Sequence, residues 1–128
     1  MLDHLGLTVT DLARSKAFYK MALAPLAIAL IKELSAEETG GHAHAGFGQE
    51  GKPFFWIGEG AQTAGPVHIA FVAQRRGDVE AFHRAALGAG GRDNGAPGLR
   101  PHYHPNYFSA FVLDPGGNNV EAVCHKPA

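Results

Sequence analysis

The sequence has few of the features that mark secreted, membrane or nucleic-acid-binding proteins. It contains one cysteine, Cys124, so no intramolecular disulfide can form, and a reducing, cytoplasmic location is expected. Its 11 Lys and Arg residues balance 12 Asp and Glu residues, and neither sign forms a block, which argues against nucleic-acid and membrane-surface partners. The longest apolar run, residues 21–31, is too short to span a bilayer, and no export signal is visible.

The chain instead combines an ordinary apolar content with an excess of two residue types. Of its 128 residues 45% are hydrophobic, which is enough for the core of one globular domain. It contains 17 glycines and eight histidines. Histidine is the commonest metal ligand and a frequent acid–base group, so the positions of these residues direct the functional analysis.

The sequence repeats itself once. When His4 is aligned with His68, four identities follow in the same register: Ala17 with Ala81, Phe18 with Phe82, Ala22 with Ala86, and Leu23 with Leu87. Two copies are too few for a solenoid, so the repeat indicates one supersecondary unit duplicated inside one domain. We expect a single domain over residues 1–128, with one module at about 1–62 and the other at about 63–128.

Each copy begins with an alternating strand pattern and continues into a helical segment. Asp11 and Asp78 are the predicted N-caps of the two helices. Shorter extended runs complete each half, near residues 26–34, 43–48 and 53–58 and then near residues 92, 107–113 and 119–124. The predicted fold class is α+β, with the pattern βαβββ present twice.

Three ionisable residues lie in otherwise apolar strand segments. A carboxylate such as Glu121 inside a sheet must be paired, protonated or bound to a metal. His4 and His68 occupy equivalent repeat positions, and the small residues Gly6 and Ala70, two positions further on, would leave a pocket beside each imidazole. Two imidazoles and one carboxylate make a facial triad for one divalent metal, which suits Fe(II) and accommodates Mn, Ni or Zn. Taken singly, each of the three is also compatible with an ordinary hydrogen-bonded residue.

Three segments of the chain resemble the vicinal oxygen chelate superfamily: LDHLGLTVTDLARSKAFYKMAL (residues 2–23), PVHIAF (66–71) and LDPGGNNVEAV (113–123). This superfamily includes glyoxalases, bleomycin-resistance proteins, fosfomycin-resistance enzymes and extradiol dioxygenases. The resemblance implies tandem βαβββ modules that form a cup-shaped mixed sheet. It places the family's metal ligands on His4, His68 and Glu121, and it implies a homodimer, since in dimeric members both chains often complete the cup.

One position departs from the glyoxalase pattern. Aligning residues 51–55 with residues 117–121 places Phe55 where glyoxalases carry a fourth metal ligand. A slip of one residue would bring Phe54 or Trp56 to this position, and neither of these binds metal. Phenylalanine binds no metal, so the four-ligand chemistry of glyoxalase I is in doubt, and the His-His-Glu set resembles the dioxygenases and fosfomycin-resistance enzymes more closely. We expect Phe55 to form a wall of the substrate pocket together with Gly6, Ala70 and Tyr107.

Two further histidine motifs lie outside the triad. His102, Tyr103 and His104 lie in a Gly- and Pro-rich connection, residues 94–106, and loops of this kind often carry binding residues. They are interpreted as candidate catalytic acid–base or substrate-orienting groups above the cup, the alternative being a surface loop packed on its own prolines. His42 and His44 are two residues apart in a predicted strand that follows a pair of glycines, so their side chains share one face of the strand. We expect both to face solvent.

Two functions remain open at this stage. The first is a metalloenzyme in which the triad metal chelates a small oxygen-bearing substrate, with either dioxygenase or lyase and isomerase chemistry. The second is a non-catalytic protein that sequesters a small molecule in the dimer cleft, like the bleomycin-resistance proteins. The balanced charge and the complete set of ligand positions favour the enzyme.

Overall fold

A computed structural model describes residues 1–61 and 65–128, and its architecture is the α+β fold of two βαβββ modules that the sequence predicts. The first sheet has the strand order β1-β4-β3-β2, with β1 (Leu5–Val9), β2 (Ala29–Leu34), β3 (His44–Gln49) and β4 (Lys52–Glu59). The second has the order β5-β8-β7-β6, with β5 (His68–Val72), β6 (Arg92–Leu99), β7 (Phe108–Leu113) and β8 (Asn119–Cys124). The predicted module boundary, at residues 62 and 63, lies outside the described residues.

In the described part of the chain, three helices and one 3-10 turn connect the strands: α1 (Leu12–Leu23), the turn Ala24–Leu26, α2 (Ala36–Thr39) and α3 (Arg76–Gly88). Asp11 caps α1 as predicted, because its carboxylate accepts the backbone N–H of Arg14 at 3.1 Å. The prediction for α3 was wrong: Arg75 is the N-cap, and Asp78 lies in the first turn. An acidic residue is stabilising at either position, so sequence alone does not separate the two.

The two sheets have the same order of parallel and antiparallel strand pairs. Each has one parallel pair of strands, β1 with β4 and β5 with β8, and the other pairs are antiparallel. In β5 the predicted alternation is observed, with His68, Ala70 and Val72 exposed and Ile69 and Phe71 buried. One face of this strand therefore belongs to the core, and the other carries the candidate site.

A single hydrophobic core contains residues of both modules and lies between the sheets and the helices. Its centre is aromatic: Phe55 packs edge-on against Tyr19 at 4.9 Å between ring centroids and against Phe71 of the second module at 5.3 Å. Cys124 is buried, as a small apolar residue would be. Among the described residues, no helix is long and apolar enough to cross a membrane.

Candidate functional site

The turn between β7 and β8 fixes the strands that carry the candidate ligands. The buried Asp114 carboxylate accepts the backbone N–H groups of Gly116 at 2.9 Å and Asn118 at 2.8 Å. The side-chain oxygen of Asn118 in turn accepts the N–H of Val67 at 3.0 Å, directly before β5. The Asp-Pro-Gly-Gly-Asn segment therefore ties the start of β5 to the start of β8, which places His68 beside Glu121.

His68 and Glu121 form the centre of the site in the second sheet. The Nε2 atom of His68 lies 2.8 Å from Oε1 of Glu121, and the glutamate is only 1% exposed. The hydroxyl group of Tyr107 donates to the other carboxylate oxygen. Burial raises the pKa of Tyr107 to about 12, with further contributions from the hydrogen bond to Glu121 and from its charge, so the phenol remains a donor at neutral pH.

His4, the third predicted ligand, does not join this pair within the chain. It is exposed next to β1, and its Nδ1 atom lies 2.7 Å from Oδ2 of Asp3. Within residues 1–61 and 65–128, no group of three or more His, Cys, Asp or Glu side chains is arranged to hold a metal ion. The donor types of His68 and Glu121 suit a divalent metal, and the described part of the chain brings no third side chain of these types to them.

The hydrogen bonds of His4 nevertheless resemble those of a metal ligand. Asp3 also contacts the ammonium group of Lys52, and this hydrogen bond, followed by the one to His4, lowers the pKa of Asp3 to about 2. The ionised carboxylate favours a proton on Nδ1 of His4, which leaves Nε2 as the ring nitrogen with a lone pair. Carboxylate partners of this kind orient metal-binding histidines.

The predicted acid–base residues His102, Tyr103 and His104 lie in the loop that follows β6. This loop begins at Arg100 and not at residue 94, because β6 continues to Leu99. His102 and Tyr103 are exposed, and Tyr103 packs edge-on against Tyr107 at 4.8 Å between ring centroids. His104 uses both ring nitrogens: Nδ1 accepts the N–H of Asn106 at 3.1 Å, and Nε2 lies 2.8 Å from Nδ1 of His125. The loop therefore reaches Glu121 through Tyr107, and His104 holds the loop in place.

One of the four predicted pocket residues differs from the others in its placement. Gly6 and Ala70 are exposed on the strand faces that carry His4 and His68, and Tyr107 lies beside Glu121. Phe55, in contrast, is fully buried in the aromatic core, so its assignment to the wall beside the metal is corrected. Ala70 pairs with Glu121 and Gly6 pairs with Trp56, which makes Trp56 the structural equivalent of Glu121.

The structure also contains a cavity of about 720 Å³ on the first sheet, which the sequence did not predict. Its lining includes His4, Gly6, His44, Lys52 and Trp56. His44 was expected to face solvent, but it is half-buried and contributes to this lining. The available signal was the clustering of glycines in β1, β3 and β4, since glycine in a strand interior often marks a close approach to the backbone.

Comparison with known proteins identifies the family. A family model described as the glyoxalase/bleomycin resistance protein/dioxygenase superfamily matches residues 1–122, and the chain belongs to this superfamily. No curated protein matches the sequence.

Solved structures agree with this assignment. A glyoxalase/bleomycin resistance protein from Albidiferax ferrireducens T118 is 27% identical with a TM-score of 0.78, and the match covers 99% of both chains. A glyoxalase I mutant from Zea mays is 23% identical with a TM-score of 0.72, and the match covers 95% of this chain but 46% of that one. A fosfomycin resistance protein mutant from Listeria monocytogenes, complexed with Mn(II) and a dihydroxypropylphosphonic acid, is 20% identical with a TM-score of 0.69 over 96% of this chain and 88% of that one.

Proposed function

We propose that this protein is a metal-dependent enzyme that acts on a small oxygen-bearing molecule. The observation that carries the proposal is the buried Glu121 carboxylate, which faces His68 on one oxygen and the Tyr107 hydroxyl on the other. A buried carboxylate that is shared between an imidazole and a phenol donor is already oriented for a divalent ion. Superfamily membership supports the proposal, because metal-bound relatives such as the Listeria protein have this fold.

We propose further that the third ligand is His4 of a second copy of the chain. His4 and His68 occupy equivalent positions in the two modules, on the faces that point away from the core. A two-fold dimer in which the first sheet of one chain faces the second sheet of the other would complete two identical sites. Two exposed apolar side chains are suited to burial in such an interface: Leu2, two residues before His4, at 74% exposure, and Val72, at the other end of β5 from His68, at 60%.

Each residue of the proposed site has a separate task. His68, Glu121 and the second chain's His4 would hold one divalent ion, Fe(II), Mn, Ni or Zn, which when bound polarises substrate oxygens. Tyr107 keeps the Glu121 carboxylate in position, and Asp3 does the same for the His4 ring. His102 and Tyr103, exposed above Tyr107, are the candidates for moving a proton, whereas His104 supports the loop.

The alternative function is capture of a small molecule without catalysis. One observation favours it: the cavity on the first sheet has Trp56 in place of a second carboxylate, so this half of the cup is suited to binding. The two functions make opposite predictions about metal content, and one measurement therefore separates them.

The test is elemental analysis of three proteins purified without chelator: wild type, Glu121→Gln and His83→Gln. We expect near-stoichiometric metal in the wild type and its loss in Glu121→Gln. His83 lies on α3, where its ring is 3.0 Å from Asp93, so His83→Gln is a matched control that should retain the metal. Absence of metal from the wild type, even after incubation with excess divalent ions, would contradict the enzyme and favour the binding protein.

A further inference from the structure

The cavity on the first sheet has an aromatic floor that the metal chemistry does not explain. Trp56 in the central strand β4 pairs with Gly6 on one side and with Gly46 on the other. A Cβ atom built on Gly46 would lie 2.8 Å from Cη2, 2.8 Å from Cζ3 and 2.9 Å from Cε3 of the indole. Because three ring carbons are nearly equidistant from that point, the six-membered ring lies flat on the Gly46 backbone. Trp56 also lines the cavity, so the face away from Gly46 is the one that a ligand could reach.

A second ring lies next to the indole. A Cβ atom on Gly58 would come within 2.6 Å of Cδ2 and Nε2 of His44 but 3.4 Å from Cε1, so one edge of the imidazole lies against the Gly58 backbone. The Nδ1 atom of His44 lies 2.8 Å from the carbonyl oxygen of His42. A carbonyl oxygen can only accept, so Nδ1 carries the proton and Nε2 of the neutral ring is an acceptor.

The space above the two rings has the size of a ligand site. The cavity of about 720 Å³ adjoins a second of about 360 Å³, and both are lined by Gly6, His44 and Trp56. Volumes in this range hold small organic ligands, and such sites combine an apolar surface with a few polar groups that fix orientation. Lys52 and His4 supply further polar groups at the lining of the larger cavity.

We propose that this cavity binds a planar aromatic ring that stacks on Trp56 and donates a hydrogen bond from a ring substituent to Nε2 of His44. The flat indole selects a planar ring, because aromatic stacking requires two parallel or offset faces. The acceptor nitrogen selects a hydroxyl or N–H substituent. Binding of such a ring does not depend on the metal, since neither Trp56 nor His44 is a proposed metal ligand. Only the statement that this ligand is the substrate rests on the proposed function.

The chain contains a single tryptophan, so its fluorescence reports on Trp56 alone. Chelator-treated wild-type protein is titrated with three probes of similar size: para-cresol, para-methylanisole and para-methylcyclohexanol. We expect a saturable change in emission with para-cresol. The ether lacks the donor and the cyclohexanol lacks the planar ring, and each should bind about fivefold more weakly.

Variants assign the two contacts, with binding followed by ligand-observed NMR because Trp56→Leu has no tryptophan. Trp56→Leu should weaken para-cresol binding about fivefold. His44→Leu should remove the preference for para-cresol over its methyl ether, and His83→Gln should behave as wild type. The proposal is overturned if para-cresol causes no saturable change, if the cyclohexanol binds equally well, or if Trp56→Leu binds para-cresol as tightly as wild type does.

The titration separates this inference from the metalloenzyme proposal. If para-cresol binds specifically to a protein that takes up no metal, the result would support the aromatic binding site at Trp56 (the ring site) and contradict the proposal of a metalloenzyme. Stoichiometric metal with no para-cresol binding at the tryptophan would support the metal site and overturn the ring site.

Discussion

Trp56 and Glu121 occupy the same position in the two modules. Trp56 pairs with Gly6 in the parallel strand beside it, and Glu121 pairs with Ala70 in the equivalent strand. Glu121 is 1% exposed and hydrogen-bonded, whereas Trp56 lines an open cavity. The duplicated unit thus carries two different chemistries at one position, an aromatic surface in the first sheet and a carboxylate in the second.

Which side chains of β4 face the cavity, Trp56 among them, depends on Gly48 in the neighbouring strand β3. The register between β3 and β4 shifts at Phe47 and Gly48, and a Cβ atom on Gly48 would lie 1.8 Å from the backbone oxygen of Lys52. Gly48→Ala should therefore lower the free energy of unfolding by more than about 3 kcal/mol, measured by urea denaturation.

Gly6→Ala is the matched control for this experiment. The nearest atoms to a Cβ on Gly6 are in Trp56, at 3.8 and 3.9 Å, which is ordinary van der Waals contact. This variant should stay within about 0.5 kcal/mol of wild type. Equal stability of the two variants would contradict the role given to Gly48.

A buried hydrogen bond links the modules. Tyr19 in α1 donates its hydroxyl to Oδ2 of Asp114 at 2.5 Å, and burial, followed by the nearby Asp114 charge, raises the pKa of Tyr19 well above its usual value. Tyr19→Phe should reduce the free energy of unfolding by about 1–3 kcal/mol, because it removes one donor from a buried carboxylate. Tyr103→Phe, at an exposed position, should have almost no effect. Equal unfolding midpoints for the two variants would show that this hydrogen bond contributes no stability.

Tyr107 is expected to act on metal affinity through Glu121. Tyr107→Phe removes the donor to one carboxylate oxygen and leaves the ring packing intact. The affinity for Mn²⁺, measured by calorimetry, should fall about 10- to 100-fold, as when the hydrogen-bond partner of a metal ligand is lost. Tyr103→Phe serves again as the control. An unchanged affinity in Tyr107→Phe would show that Glu121 is not a ligand or needs no support from the phenol.

The sequence predicts the second half of the site better than the first. Glu121 stands out because a carboxylate in an apolar strand needs a partner, and the structure places His68 against it. The sequence singles out His102, Tyr103 and His104 because three ring-bearing residues are consecutive. It carries no signal for the hydrogen bonds of His104 to Asn106 and His125. Contacts of this kind depend on how the loop folds back on β8.

The misplacement of Phe55 has a specific cause. The β3–β4 hairpin turns through Glu50 and Gly51, both with positive φ, whereas β7 and β8 are joined by the longer segment 114–118. Trp56 therefore lies five residues after Gly51, while Glu121 lies four after Gly117. An alignment without gaps exchanges the two faces of β4, because a shift of one residue reverses every side chain of a strand.

The proposal that two chains share one metal site is tested most directly by mixing two variants. His4→Ala lacks the ligand on the first module, and Glu121→Gln lacks one on the second, so each alone should bind almost no metal. In a mixed dimer of the proposed kind, His4 of the Glu121→Gln chain would meet His68 and Glu121 of the other chain, and one of the two sites would be restored. After random exchange of subunits, the mixture should bind about a quarter of the wild-type amount of Mn²⁺. If the mixture binds no more metal than the separate variants, the two chains do not share the site.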